Sequence, residues 1–237
     1  MAIEKIMGTE IELGISAKGP SGFDPVSSSI LLINSHRSLA EVKAMWDYTG
    51  ENPLLDARGF EVSGEHERPS QADNRTINKL LRNGGRLYVD GAHPEYSTPE
   101  CTNAHDLVCY EKAGERIFEL CLASANLTLP ERKRIFIYKN NSDGKGNSYG
   151  HHENYLMERR VPFDQIVRGF TPFLVTRLIF AGAGKVGAEN GAEPCDYQLS
   201  QRADFFESFI GLDTMAKRPI INTRDEPHAD EEKYRRL

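Results

Sequence analysis

The segment Lys5–Ser16 constrains the fold most, because its side chains alternate in polarity and glycines bound the alternating run. This period of two predicts a β-strand whose two faces meet different surroundings. Ile11 and Leu13 would enter the core, while Glu10 and Glu12 would share the other face, roughly 6.5–7 Å apart along the strand. Two carboxylates this close repel unless a cation lies between them, although a lone E-x-E pattern is also typical of a solvated strand face.

Helical and strand patterns alternate along the rest of the chain, which favours an α+β fold with an antiparallel-rich sheet. Arg86–Asp90 and Arg134–Tyr138 alternate as strands. Asn103–Ala125 has the apolar spacing of an amphipathic helix, with Asn103 as its cap and an apolar face formed by Leu107, Val108, Ile117, Leu120 and Cys121. Phe163–Phe180 is apolar enough for a buried helix. The polar segment Glu51–Asn74 predicts a long exposed loop.

The composition excludes several classes of protein. The 237 residues include 29 Lys plus Arg and 35 Asp plus Glu, a formal charge of -6. This mild acidity argues against a nucleic-acid partner, which normally requires a basic patch. It does not exclude a nucleotide, because a bound metal can supply positive charge. The dispersed cysteines argue against structural zinc, and the chain lacks both a signal peptide and a long apolar run, so we expect a cytoplasmic protein with no membrane partner.

A second polar group surrounds the end of the predicted strand Arg86–Asp90. Arg86, Tyr88 and Asp90 share one face of that strand. The segment that follows is kinked by two prolines and carries His93, Glu95, Tyr96, Thr98 and Glu100. An acid at such a position could serve as general base or nucleophile. A polar loop with helix-capping acids is the alternative interpretation.

Lys139–Tyr155 is a third polar stretch, rich in Gly, Asn, Ser and His. Its glycines free the backbone to approach a ligand, and its Lys, Asn and His side chains could contact phosphate. A flexible surface loop would have the same composition.

Two further patterns have weaker functional interpretations. Gly182–Gly187 fits G-x-G-x-x-G, but Ala188–Pro194 follows and cannot begin a good helix, which argues against a dinucleotide site. Arg202 and Arg224 lie next to acids and could clamp phosphate or carboxylate. Surface salt bridges are the alternative for both arginines.

Five segments together resemble a known family: MGTEIELGI, RLYVDGAHPEYSTPEC, YKNNSDGKGNSYGHHENYL, QLSQRADF and INTRDEPHAD. They are similar to the Pup ligase and depupylase family, which is related to glutamine synthetase and the carboxylate–amine ligases. The matches lie between residue 6 and residue 236. The resemblance implies a glutamine-synthetase-like fold, in which a curved sheet cradle packs against helices.

Within the family, the variants GTEIE, AHPEYS and DGKGNSYG are similar to the depupylase (Pup deamidase) branch. Trp46–Phe60 also resembles a loop insertion that the ligase branch lacks. The resemblance implies hydrolysis of the side-chain amide of the C-terminal glutamine of Pup, and cleavage of the Pup–lysine isopeptide bond. The implied cofactors are ATP (or ADP plus phosphate) and Mg²⁺, and the implied partners are Pup and pupylated proteins. A Pup–protein ligase and a truncated, non-catalytic form that binds nucleotide or Pup stay open as alternatives.

The resemblance also implies a role for each matching site residue. Asp90 corresponds to the catalytic aspartate, either as general base or as nucleophile. The magnesium positions are Glu10, Tyr88 and Glu95, with Glu12 added by analogy with the wider superfamily. The nucleotide positions are Arg86 and Thr98, with His152 added by the same analogy, and the weaker site candidates are Glu100, Arg202 and Arg224.

The resemblance bears on domain organisation as well. Members of the family continue beyond the position of Leu237. Residues 1–237 are therefore expected to form an incomplete N-terminal catalytic domain, without the C-terminal remainder and a small C-terminal domain. That remainder would carry further nucleotide contacts and part of the surface that binds Pup.

Overall fold

A computed structural model describes residues 5–19, 22, 24–35, 44–214 and 218–237. These residues divide into two compact units. The first unit is formed by the described residues within 1–48, 68–140 and 149–154, and the second by those within 49–67, 141–148 and 155–237.

The described residues contain both strands and helices throughout the chain. The strands are β1 (Met7–Glu12), β2 (Gly14–Lys18), β3 (Leu55–Asp56), β4 (Phe60–Glu61), β5 (Asn78–Leu80), β6 (Arg86–Asp90), β7 (His93–Ser97), β8 (Arg134–Tyr138), β9 (His151–Glu158), β10 (Lys185–Val186), β11 (Tyr197–Gln198), β12 (Ser208–Gly211), β13 (Pro219–Asn222) and β14 (Tyr234–Arg236). The helices are α1 (Pro25–Asn34), α2 (Gln71–Ile77), α3 (Ala104–Thr128), α4 (Phe163–Thr176) and α5 (Leu178–Ala181).

The first unit is built on a sheet with the strand order β9–β1–β7–β6–β5. The pairs β1–β7, β7–β6 and β6–β5 are all antiparallel. A separate antiparallel pair joins β2 to β8. The prediction of an α+β fold with an antiparallel-rich sheet is therefore confirmed.

Strand β1 has the two faces that its alternating sequence predicts. Ile11 is buried, as is Leu13 directly after the strand, and both belong to a core that includes Leu32 of α1 and Phe118 of α3. Glu10 and Glu12 remain partly exposed on the other face. One side of the sheet is thus covered by helices, and the other side carries the acids.

Helix α3 begins where the sequence indicates, because the Asn103 side chain accepts a hydrogen bond of 2.9 Å from the backbone N–H of Asp106. Its buried face differs in part from the face that the apolar spacing predicted. Val108 is 59% exposed and Leu120 is 56% exposed, while the buried positions are Gly114, Phe118, Cys121 and Ala125.

Gly114 explains how closely α3 approaches the sheet. A Cβ atom at this position would lie 2.2 Å from Cδ1 of Tyr96, whose side chain is fully buried. The missing side chain makes room for the Tyr96 ring between the helix and strand β7. The residue after Glu95 is thereby held in the core, which keeps Glu95 on the opposite, polar face.

Two predictions, for Glu51–Asn74 and for Phe163–Phe180, were partly wrong. Within Glu51–Asn74, predicted as an exposed loop, strands β3 and β4 pair and helix α2 begins at Gln71. Asp56 is fully buried, and its carboxylate binds Thr223 and Arg58. Phe163–Phe180 does form helices, but they are not buried as predicted, since Ile166 is the buried residue of this segment. Other apolar side chains of this segment are exposed, among them Phe173, Val175, Ile179 and Phe180.

The second unit contains further short strand pairs. Strand β14 pairs antiparallel with residues 156–158 of β9, and β12 pairs with β13 in a parallel arrangement. Among the described residues, no helix is both long enough and apolar enough to cross a membrane.

Candidate active site

The polar face of the first unit brings four of the predicted metal residues together through strand register. Glu12 of β1 is paired with Glu95 of β7, and Glu95 is paired in turn with Tyr88 of β6. Glu10 lies one step along the same face, opposite Ser97. Because directly opposed residues have Cβ atoms about 5 Å apart, these side chains form one continuous row.

Three carboxylates converge at one end of this row. Glu12, Asp90 and Glu95 each offer an oxygen, and the three oxygens all lie within 4.8 Å of one another. Asp90 is exposed, whereas Glu95 is 2% exposed. The Oε1 atom of Glu95 is buried and accepts no hydrogen bond from the residues that the structure describes. An unpartnered carboxylate oxygen among other carboxylates fits a hard divalent cation such as Mg²⁺, which binds oxygen ligands.

Electrostatics at the cluster also favour a cation. Burial raises the pKa of Glu95 well above its ordinary value, and the charges of Glu12 and Asp90 raise it further. Burial likewise raises the pKa of the Tyr88 phenol, with added contributions from Glu10 and Glu95. A bound metal ion would reverse the carboxylate effect by stabilising the ionised forms.

Residues at and just before the start of strand β9 contact the glutamates of β1. The Nδ1 atom of His152 lies 3.0 Å from Oε2 of Glu10, and the carboxylate of Glu12 accepts a hydrogen bond from the backbone N–H of Gly150. Thr98 contacts strand β1, because its hydroxyl oxygen accepts a hydrogen bond of 3.0 Å from the backbone N–H of Thr9. The structure therefore places both His152 and Thr98 beside the strand that carries Glu10.

Arg86 is held between aromatic rings. The central carbon of its guanidinium lies 3.9 Å from the centre of the Trp46 ring and 4.1 Å from that of Tyr88. Its Nε donates a hydrogen bond of 2.7 Å to Oδ1 of Asn78. Cation–π contacts of this kind fix an arginine in one direction. The contact with Trp46 was missed by sequence reasoning, because no spacing pattern relates residues so far apart in the chain.

Comparison with known proteins decides the family. The family described as Pup-ligase protein matches residues 5–237 of the chain. The chain belongs to the Pup ligase family. This confirms the family resemblance that the five motifs indicated.

Relatives within the Pup ligase family match nearly the whole chain. The chain is 52% identical to a depupylase of Acidothermus cellulolyticus and 47% identical to a Pup deamidase/depupylase of Mycolicibacterium smegmatis, over 99% of its length in both cases. It covers 48% of each relative, so the chain spans about half the length of the curated relatives it matches.

A solved structure from the Pup ligase family supports the fold. The complex between the prokaryotic ubiquitin-like protein Pup and its ligase PafA contains a chain that matches 99% of this one, with a TM-score of 0.71 and 33% sequence identity. The present chain covers 41% of that matching chain. The expectation that residues 1–237 form an incomplete catalytic domain stays a prediction.

The three weaker site candidates lie outside the carboxylate cluster. Glu100 is exposed and follows β7. Arg202 and Arg224 belong to the second unit, where Arg224 lies 3.8 Å from the carboxylate of Glu226. Their roles in the Pup ligase family fold stay predictions.

The G-x-G-x-x-G segment forms no dinucleotide site. Lys185 lies in the short strand β10, which pairs with β11 in place of a helix. Its ammonium group is 2.6 Å from Glu189 and 2.7 Å from Asp204. The segment therefore lacks the helix N-terminus on which a dinucleotide pyrophosphate would lie, and two carboxylates neutralise its lysine.

Glu111 of α3 fastens the start of β9 to the helix. Its carboxylate lies 3.1 Å from Nε2 of His151 and 3.0 Å from Nζ of Lys139. The hydrogen bonds with His151 and, less strongly, with Lys139 outweigh the opposing effect of burial and lower the pKa of Glu111 to about 2. Because His152 follows directly, this contact supports the strand that faces Glu10.

Glu111→Gln should lower the free energy of unfolding by about 1–2 kcal/mol at neutral pH, allowing for the partial exposure of the side chain. The folded pKa lies below the unfolded one, so this stability is present above about pH 4.5 and is lost as the pH falls towards about 2. Urea unfolding at several pH values measures the difference. Glu119→Gln on the exposed face of α3 is the control, and an equal loss in both variants would contradict the prediction.

Proposed function

We propose that this chain is an ATP- and Mg²⁺-dependent amidohydrolase that acts on Pup. It would convert the C-terminal glutamine of Pup to glutamate, and it would cleave the isopeptide bond between Pup and a substrate lysine. The observation that carries the proposal is the carboxylate cluster of Glu12, Asp90 and Glu95, on a chain whose depupylase relatives match 99% of its length.

The two reactions are chemically the same. In each, a nucleophile adds to the γ-carbonyl carbon, the nitrogen takes up a proton, the carbon–nitrogen bond breaks, and an amine leaves as ammonia or as the lysine side chain. Water supplies the oxygen of the new carboxylate, either as that nucleophile or by hydrolysing an acyl group on Asp90. Asp90 would carry the chemistry because it is the exposed carboxylate of the cluster. It would either take a proton from the attacking water or add directly to the carbonyl carbon.

The remaining residues would bind and orient the cofactors. Mg²⁺ would be held by the oxygens of Glu10, Glu12, Tyr88 and Glu95. When bound, it would neutralise phosphate charge and stabilise the developing oxyanion, a contribution often worth several kcal/mol. The nucleotide, as ATP or as ADP plus phosphate, would contact Arg86, Thr98 and His152.

An assay of Pup with a C-terminal glutamine tests this proposal directly. With Mg-ATP present, we expect the protein to release ammonia and to convert that glutamine to glutamate, as detected by mass spectrometry. It should also release Pup from a pupylated protein. Absence of both products, with formation of new Pup–lysine bonds from Pup that ends in glutamate, would overturn the hydrolase assignment.

A Pup–protein ligase is the second candidate, favoured by the structural match to a ligase in complex with Pup. It differs in consuming ATP while it forms the isopeptide bond. A non-catalytic binding form would instead give a calorimetric signal with Mg-ATP or Pup and no product. Hydrolysis products, new Pup–lysine bonds and calorimetric binding without product therefore distinguish the hydrolase, the ligase and the non-catalytic form.

A further inference from the structure

His93 lies directly across the β6–β7 hairpin from Asp90. The two residues are paired in register on either side of a turn formed by Gly91 and Ala92. Gly91 has a φ of 55°, which a two-residue hairpin turn requires and which glycine adopts without strain. Opposed side chains of an antiparallel pair share a face, so the imidazole has its Cβ about 5 Å from that of Asp90.

Tyr149 buttresses the His93 ring. The two ring centres are 4.5 Å apart with a tilt of 47°, and Tyr149 is 6% exposed. The Tyr149 hydroxyl lies 2.5 Å from Oδ1 of Asn140, which fixes the far end of its ring. The His93 imidazole therefore packs against the Tyr149 ring, whose position is fixed by its hydrogen bond with Asn140.

Gly14 makes room for this buttress. A Cβ atom at position 14 would lie 2.4 Å from the hydroxyl oxygen of Tyr149 and 3.0 Å from the ring carbon that carries it. Any larger residue would displace Tyr149 and remove the support of His93. Three separate segments of the first unit thus combine to hold one imidazole beside Asp90.

The surroundings of His93 leave one ring nitrogen able to bind a new partner. Its Nδ1 atom is buried and has no hydrogen-bond partner among the residues that the structure describes. A contact with a group outside the core must therefore be made through Nε2. In the neutral ring with its proton on Nε2, that nitrogen is a hydrogen-bond donor.

We propose that His93 is a positioning residue for Asp90 in the amide hydrolysis, an inference that rests on the proposed function. Its Nε2–H would donate to the Asp90 carboxylate when the substrate is bound, and so hold that carboxylate in its reactive direction. Catalytic hydrogen bonds commonly tighten only in the substrate complex. Tyr149 and Gly14 act through His93 by fixing the ring.

The first test is independent of catalysis. Nitrogen-15 and carbon-13 spectra of histidine-labelled protein at pH 8 report which ring nitrogen carries the proton, and the His93 signals are identified by their loss in His93→Gln. We expect the Nε2–H tautomer. A ring protonated on Nδ1 would overturn the proposal, even if the chain showed no activity towards Pup.

The second test compares two substitutions at one position. Glutamine places its amide near the position of Nε2, whereas asparagine places it near Nδ1. We expect His93→Asn to lower kcat for Pup deamidation by about 10- to 100-fold, as for other groups that orient a reacting ligand. His93→Gln should retain most of kcat, and calorimetry should give both variants an unchanged Kd for Mg-ATP.

Controls separate positioning from a loss of folding. His105→Asn on the exposed part of α3 should match the parent protein. Tyr149→Phe keeps the ring but loses the contact with Asn140, so it should lower kcat less than Tyr149→Leu. Tyr149→Leu should lower kcat and add little to His93→Asn in the double variant. Equal losses in His93→Asn and His93→Gln, or a kcat for His93→Asn within about 2-fold of the parent, would overturn the proposal. If the parent itself releases no ammonia, the proposed function fails, whereas an Nδ1–H tautomer in an active parent would overturn only the role of His93.

Discussion

Asp90→Asn should reduce the rate of Pup deamidation by roughly 1,000-fold or more, as expected when a residue that reacts with the substrate is removed. Asparagine has nearly the same shape as aspartate, but it is neither a base nor a nucleophile at neutral pH. Asp90 is exposed, so the fold should survive the change. The variant also removes one of three mutually repelling carboxylates.

Three measurements check the Asp90 prediction. Ammonia release gives the rate, calorimetry gives the Kd for Mg-ATP, and circular dichroism gives the melting temperature. We expect only the first to change by a large factor. Asp106→Asn, at an exposed position in the first turn of α3, is the matched control and should keep full activity. Full activity in Asp90→Asn would assign the chemistry to another residue.

Asp56→Ala should lower the free energy of unfolding by about 3–5 kcal/mol, the cost of removing one member of a buried charged network. Asp56 is fully buried, accepts a 2.6 Å hydrogen bond from the Thr223 hydroxyl, and pairs with Arg58 at 2.8 Å. Alanine would leave the Thr223 hydroxyl buried without an acceptor, which adds a desolvation cost. The segment that carries β3 and β4 would lose its side-chain hydrogen bond to residue 223.

The pKa of Asp56 gives this prediction a pH dependence. Burial raises the pKa, but hydrogen bonds from Arg58 and Thr223 outweigh it and hold the pKa below its usual value. The contribution of Asp56 is therefore complete above its unfolded pKa of about 3.9, and it is lost as the pH falls through the lower folded value. Urea unfolding of the variant near neutral pH gives the size of the effect.

A matched control for Asp56 lies in the same unit. Asp164 is 65% exposed at the start of α4, so Asp164→Ala should change the free energy of unfolding by well under 1 kcal/mol. Asp56→Asn should fall between the two variants, since its amide oxygen can still accept from Thr223. A loss below about 1 kcal/mol in Asp56→Ala would mean that the network contributes little.

The predictions for Glu51–Asn74 and for the buried face of α3 were partly wrong for the same physical reason. Glu51–Asn74 reads as an exposed loop because it is polar, yet Asp56 is buried through partners at residues 58 and 223. Val108 and Leu120 of α3 fit an apolar stripe but lie mostly exposed. The polarity of a side chain does not by itself decide whether it is buried. A polar side chain is buried where distant residues supply hydrogen-bond partners, and an apolar one stays exposed where no other element packs against it.

The sequence by itself determined the strand β1, its acidic face, the start of α3 and the family. Each of these depends on neighbours within a few residues or on a motif with a definite order, as in the alternation around Glu10 and Glu12. Only the tertiary structure decided that Glu12 meets Glu95 and Asp90, that Arg86 lies between Trp46 and Tyr88, and that Tyr149 supports His93. The physical reason is that strand register and side-chain packing join residues far apart in the chain, and local periodicity carries no record of those pairings.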